Sequence, residues 1–139
     1  MNAPSVDIKD MLVAESSLGL VFDPKDSNRN LFVGREPSAK GAPDNCVTIF
    51  DTPGGSPQLT LAGTENYFYP SIQIKVRNKD YCTGWGLIHD IMVALHGRGQ
   101  ETWDETLYSV IQAAGGPAFM NWDENDRVSF VVNFDIQRR

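Results

Sequence analysis

Two hydrophobic periods alternate along the chain, and the switches between them outline its elements. Over the first residues Ile8, Met11 and Leu12 recur at helical spacing with Glu15 extending the row, which predicts a helix from Ser5 to Leu18 with one apolar face. Ser5 stands where an N-cap belongs, Asp7 falls in the first turn, and Gly19 is placed as a C-terminal stop. A polar turn from Asp23 to Asn28 precedes a short strand, Leu31-Phe32-Val33, ended by Gly34. Residues 35–45, rich in Pro, Gly, Ser and Asp, read as a loop, and Cys46 to Phe50 as a second strand. The run Asp51-Thr52-Pro53-Gly54-Gly55-Ser56-Pro57 holds two prolines and two glycines, which predicts that the chain turns there. The stretch 52–69 is a loop or an extended arm ending in the aromatic cluster Tyr67, Phe68 and Tyr69.

From Pro70 the period becomes two: Ile72, Ile74 and Val76 alternate with Ser71, Gln73, Lys75 and Arg77, the pattern of a strand with one apolar and one wet face. Such strands belong to antiparallel or mixed sheets. Between Asp80 and Leu95 the period is helical again. Tyr81, Trp85, Ile88, Met92 and Leu95 form one stripe, and Leu87, Ile91 and Ala94 a second. That arc is wider than packing on one sheet requires, so the N-terminal helix or a second subunit covers the surplus. Gly97 and Gly99 stop the helix, Thr106 to Gln112 reads as a strand, and Ala118–Trp122 and Arg127–Arg138 flank the turn Asp123-Glu124-Asn125-Asp126 as a hairpin. The last arm sets Val128, Phe130, Val132, Phe134 and Ile136 against Ser129, Asn133, Asp135 and Gln137, as a long strand of the main sheet should. The order predicts an α+β fold with a mostly antiparallel or mixed sheet and two main helices.

Length adds one domain over residues 1–139, large enough for a core without disulfide staples. With 12 basic against 18 acidic residues the formal charge is −6, which argues against a protein that grips nucleic acid by its phosphates. There is no run of 18 apolar residues to span a membrane, and the first ten residues, which mix acids and bases, do not read as a secretory signal. Cys46 and Cys82, 36 positions apart, fit neither a CxxC pair nor a zinc knuckle and read as reduced thiols of a cytosolic folding site.

Chemistry finds little support. His89 and His96 are separated by two helical turns, about 10.5 Å, too far for both rings to hold one metal ion. His96 is better placed to answer the negative end of its helix. The acidic turn at 123–126 lacks the central glycine and distal glutamate of a calcium loop and reads as a solvated hairpin turn. Neither Gly54-Gly55 nor Gly84-Trp85-Gly86 matches a phosphate cradle, and no GxSxG elbow exists. The expectation is therefore a non-enzyme without metal or cofactor. What remains is surface: Tyr67-Phe68-Tyr69, the helix around Trp85, and long loops at 35–45 and 52–69 exceed what a small monomer needs, unless the aromatics simply plug the ends of the core.

Several phrases, in order, carry a family resemblance. They are Ser17-Leu18-Gly19-Leu20; Phe32-Val33-Gly34-Arg35-Glu36-Pro37; Pro43-Asp44-Asn45-Cys46-Val47-Thr48-Ile49-Phe50-Asp51-Thr52; and Tyr69-Pro70-Ser71-Ile72-Gln73-Ile74-Lys75-Val76-Arg77. Ala94-Leu95-His96-Gly97, Asp123-Glu124-Asn125-Asp126-Arg127 and Asn133-Phe134-Asp135-Ile136-Gln137-Arg138 complete the set. Together they resemble the tail-terminator, or tail-completion, proteins of long-tailed bacteriophages, a group also described as phage minor capsid proteins. The chain departs from typical members at Phe68-Tyr69 and over 52–66.

The resemblance implies an α+β fold with helices packed on one side of the sheet. It also implies a structural protein of the virion, assembled in the host bacterial cytoplasm. Its ring, usually hexameric, caps the head-proximal end of the tail tube, ends tube polymerisation and offers a docking surface to the head connector or neck protein. The negative charge suits a lumen through which DNA passes without being held. Ring closure needs two different patches that meet. The candidates are Leu87, Ile91 and Ala94 on the helix, Arg35 and Glu36 in the 35–45 loop, and Tyr67, Phe68 and Tyr69 on the arm, which could add a strand to a neighbour or to the tube. Two alternatives stand beside it: a head-completion protein on the capsid side of the joint, and a small-ligand or enzymatic domain with a pocket at Tyr67-Phe68-Tyr69 and Trp85.

Overall fold

In a computed structural model that describes residues 1–61, 63 and 66–139, two helices lie on one face of a seven-stranded sheet. Helix α1 (Pro4–Ala14) and a single 3₁₀ turn (Ser16–Leu18) precede strands β1 (Leu31–Val33), β2 (Cys46–Leu59) and β3 (Asn66–Asn78). Helix α2 (Tyr81–Leu95) follows, then β4 (Glu101–Trp103), β5 (Thr106–Ala113), β6 (Ala118–Trp122) and β7 (Val128–Arg138). Across the sheet the order among described residues is β1-β2-β3-β7-β5-β4, with β6 beside the first residues of β7. Only the β1–β2 pair is parallel, so the α+β reading with a mixed, mainly antiparallel sheet holds.

The period-two strands build the core because their registers stack like with like. Val47, Val76 and Phe130 form one row across β2, β3 and β7; Ile49, Ile74 and Val132 form the next; Ile72 and Phe134 lie in a third. Ile8, Met11 and Leu12 of α1 and Ile88, Ile91 and Leu95 of α2 close over these rows, all fully buried. Each such side chain contributes about 1.5–3 kcal/mol by leaving water.

Three local readings of the sequence are corrected. The predicted turn at 51–57 is strand: β2 runs through it to Leu59 and pairs with β3 as a long hairpin. Register shifts between Thr52 and Gly55 and between Gly55 and Gln58 absorb the irregular residues as bulges. At Gly54 a Cβ would stand 2.1 Å from the Tyr69 carbonyl oxygen, so the glycine is there to let the two backbones close up. The expected arm is therefore this hairpin, and its positions 62, 64 and 65 lie outside the described residues.

Ser5 does not cap α1. The helix opens at Ala3-Pro4 without a side-chain cap, while the Ser5 amide and hydroxyl donate to Asp51 of β2 at 3.0 and 2.6 Å. A carboxylate from the sheet thus supplies the negative group that the helix start favours. Gly19 does stop the following 3₁₀ turn, in the left-handed conformation (φ 65°). The buried stripe of α2 is Gly84, Ile88, Ile91 and Leu95 rather than one containing Tyr81 and Trp85, both of which are exposed.

Candidate functional site

Arg77 organises the loop 35–45. It sits on the polar side of β3, yet only 2% of it is exposed, because the loop folds back over it. Its guanidinium donates to the carbonyl oxygens of Pro37 (2.9 Å), Pro43 (2.6 Å) and Asp44 (3.2 Å) and to Glu36 (3.0 Å). Glu36 also pairs with Lys75 at 2.8 Å, so this candidate is held inside its own subunit. Arg35 next to it is exposed. Burial under the same loop raises the Cys46 thiol to a pKa of about 11.

A second polar knot ties the chain ends together. Tyr108 donates to the buried Asp7, which also accepts from Asn2 at 3.1 Å, while Arg138 donates to the Tyr108 hydroxyl (3.2 Å) and to the Asn2 carbonyl (2.9 Å). Asp7 is thus a buried acceptor reaching β5 and not merely a charge at a helix start. Burial and the Asp7 carboxylate push the Tyr108 phenol well above the usual tyrosine range. The knot is enclosed: Asp7 and Tyr108 are fully buried and Arg138 nearly so.

On the surface, Tyr67, Phe68 and Tyr69 are half-buried along the hairpin stem. Tyr69 donates to Gln58 (2.6 Å), and Arg139 donates to the Tyr67 hydroxyl (3.4 Å). They do not meet Trp85. The aromatics stand near the start of β3 and α2 begins just past its end, about 30–36 Å away at 3.3 Å per residue. Tyr69 and Trp85 line two separate cavities rather than one shared pocket.

On α2, Ile91 is fully buried, whereas Leu87 and Ala94 are both half-buried, Leu87 with one side packed against the core. Ala94 lines a shallow groove with Leu18 and Val93. Ile91 therefore serves this subunit's core and is withdrawn as a surface contact. His96 receives a hydrogen bond on Nδ1 from the Ala113 amide (3.0 Å), and His89 stacks on Trp85 with ring centroids 5.0 Å apart. Among the described residues no three His, Cys, Asp or Glu side chains could hold a metal ion. Among the described residues no helix is long and apolar enough to cross a membrane.

One surface the sequence reading overlooked is β6. All five of its residues are exposed, and among the described residues its partner strand is β7 alone. A bulge between Phe119 and Asn121 shifts the alternation, so Phe119 faces Phe130 and Trp122 faces Val128, both on the helix side of the sheet. Tyr81 lies over this strip, with ring centroids 6.3 Å from Phe119, 6.4 Å from Trp122 and 5.0 Å from Phe130. The signal was present as the uncharged run 115–122 with Phe119, Met120 and Trp122 out of strict alternation.

The fold thus combines buried polar knots that fix loops and ends with an apolar edge left uncovered. The chain belongs to the bacteriophage tail terminator family, whose model, described as "Bacteriophage tail terminator protein", matches residues 12–139. It is a structural protein of the phage tail and head–tail region. A solved chain from the "Virion of native gene transfer agent (GTA) particle" shares the fold with a TM-score of 0.70, covering 98% of this chain and 94% of that one at 13% identity. No curated protein sequence matches the chain.

Proposed function

We propose that this protein forms a ring, hexameric in the family's usual manner, on the head-proximal end of a completed tail tube. There it ends tube polymerisation and presents the docking surface for the head connector. What carries the reading is the family match over 12–139 joined to an apolar edge that the subunit leaves uncovered. A subunit destined for a closed ring keeps such surface for its neighbours. The −6 charge suits a lumen that DNA traverses without adhering.

The test uses tail tubes assembled without the protein. They are incubated with purified protein and then offered fresh tube subunits. A terminator stops growth and makes the tubes competent to join filled heads. Tubes that keep growing while the protein binds filled heads instead overturn this reading in favour of a head-completion protein.

A further inference from the structure

The uncovered strip on β6 and the first turn of α2 presents Tyr81, Trp85, Phe119, Met120 and Trp122, each between 43% and 51% exposed. At about 200 Å² per large side chain, half-exposure of five leaves about 500 Å² of mainly aromatic surface in water. That is as large as the largest patches on ordinary monomers, about 300–600 Å², and more than half of the roughly 800 Å² each partner brings to a standard interface. Tyr81, Cys82 and Trp85 line a recess of about 300 Å³ beside it.

At the opposite end of the molecule the β2–β3 hairpin carries Leu59, 78% exposed, and Leu61, fully exposed. Leu59 pairs with Asn66 at the start of β3, whereas β6 flanks the β7 residues that pair with the end of β3. The two apolar ends are thus about 30–40 Å apart along one strand. The hairpin cannot fold back onto the strip of its own subunit. Both partners are also free of charge: no acid or base occurs between Asp51 and Glu65, nor from Thr106 through Trp122.

We propose that the occupant of the strip is the hairpin end of a second copy, with Leu59 and Leu61 seated against Tyr81, Trp85 and the β6 aromatics. Different patches meet at opposite ends of each subunit, which is the head-to-tail contact that closes rings. The contact is made by side chains more than by a shared sheet, because Pro53 and Pro57 deprive that part of β2 of amide donors. This inference rests on the ring reading and names the surfaces that make it.

Cys82 in the recess is exposed and Cys46 is buried, so the strip carries one native thiol to trap the contact. Protein with Leu61→Cys, assembled on tail tubes and mildly oxidised, is expected to give a reducible ladder from dimers up to the full ring. The ladder disappears when Cys82→Ser is added. Assemblies that form but yield no crosslink, or only dimers joined through position 61, overturn the interface and leave the ring standing. Failure of the unmodified protein to assemble on tubes, read by sedimentation of the same samples, overturns the ring itself. A mixing experiment gives a second measurement. Leu59→Asp with Leu61→Asp keeps the strip, and Phe119→Asp with Trp122→Asp keeps the hairpin, so the mixed pair should stop at a dimer while each alone stays monomeric. No dimer on mixing, where the unmodified protein forms rings, contradicts the pairing.

Discussion

Replacing Arg77 with methionine removes a buried cation while keeping an unbranched side chain of similar reach. Three loop carbonyls, those of Pro37, Pro43 and Asp44, lose their donor, and Glu36 is left with Lys75. A hydrogen bond to a charged group is worth about 1.5–3 kcal/mol, and four do not add, since a detached loop regains water. Breaking one side of a buried ion pair costs about 3–5 kcal/mol, which sets the expected loss for Arg77→Met. In a chain of this size that lowers Tm by roughly 10–20 °C. Urea unfolding measures the free energy, and two local readouts report the loop. Trypsin should cut after Arg35 or Lys40, and Cys46, held near a pKa of about 11 by burial, should begin to react with a thiol reagent under native conditions. In the unmodified protein only the exposed Cys82 reacts before unfolding. Gln73→Met, on the same face of β3, should stay within about 0.5 kcal/mol. A loss under about 1 kcal/mol for Arg77→Met with the loop still protected would refute the claim that this guanidinium holds the loop.

Gly54→Ala places a Cβ against the Tyr69 carbonyl and should destabilise by about 1–3 kcal/mol, with hydrogen exchange rising in the hairpin before the rest of the sheet. In ultraviolet titration the folded protein should ionise one tyrosine fewer than the unfolded chain, because Tyr108 is buried against Asp7; Tyr108→Phe should abolish that difference and cost about 1–3 kcal/mol. Asp80, which accepts from the Thr83 hydroxyl and amide, and Glu101, which accepts from Arg98, are held below their ordinary values of 3.8 and 4.5. Their stabilisation is therefore complete above those values and is lost as pH falls through the lower folded ones, so Asp80→Asn should flatten the acid limb of a pH–stability curve and leave pH 7–8 unchanged in slope.

Long alternating strands were the most legible part of the chain. β7 and the second half of β3 follow the period-two pattern because each has one face against the helices and one toward water. Arg77 was misread for the same reason: alternation puts it on the wet face, and nothing local shows that a loop 33–41 residues upstream returns to cover it. The Pro-Gly run hid the continuation of β2, since bulges take up residues that normally end a strand. β4 was missed because its turn is made by Asp104 and Glu105 at positive φ (46° and 63°), without the glycine or asparagine that announces such turns. On α2 the aromatics outweighed Gly84 in choosing the buried stripe, yet the glycine is what faces the sheet. The strip on β6 has a different origin: Ala118–Trp122 reads from the sequence only as one arm of a hairpin, and nothing local shows that the core ends before reaching Phe119, Met120 and Trp122.

The ring is tested most directly by imaging tail-tube ends after the purified protein is added. A ring-forming terminator leaves a disc at one end of each tube, with the rotational symmetry of the tube, and Leu59→Asp with Leu61→Asp abolishes it. Tube ends that stay bare, with the protein remaining monomeric in the supernatant, would contradict it.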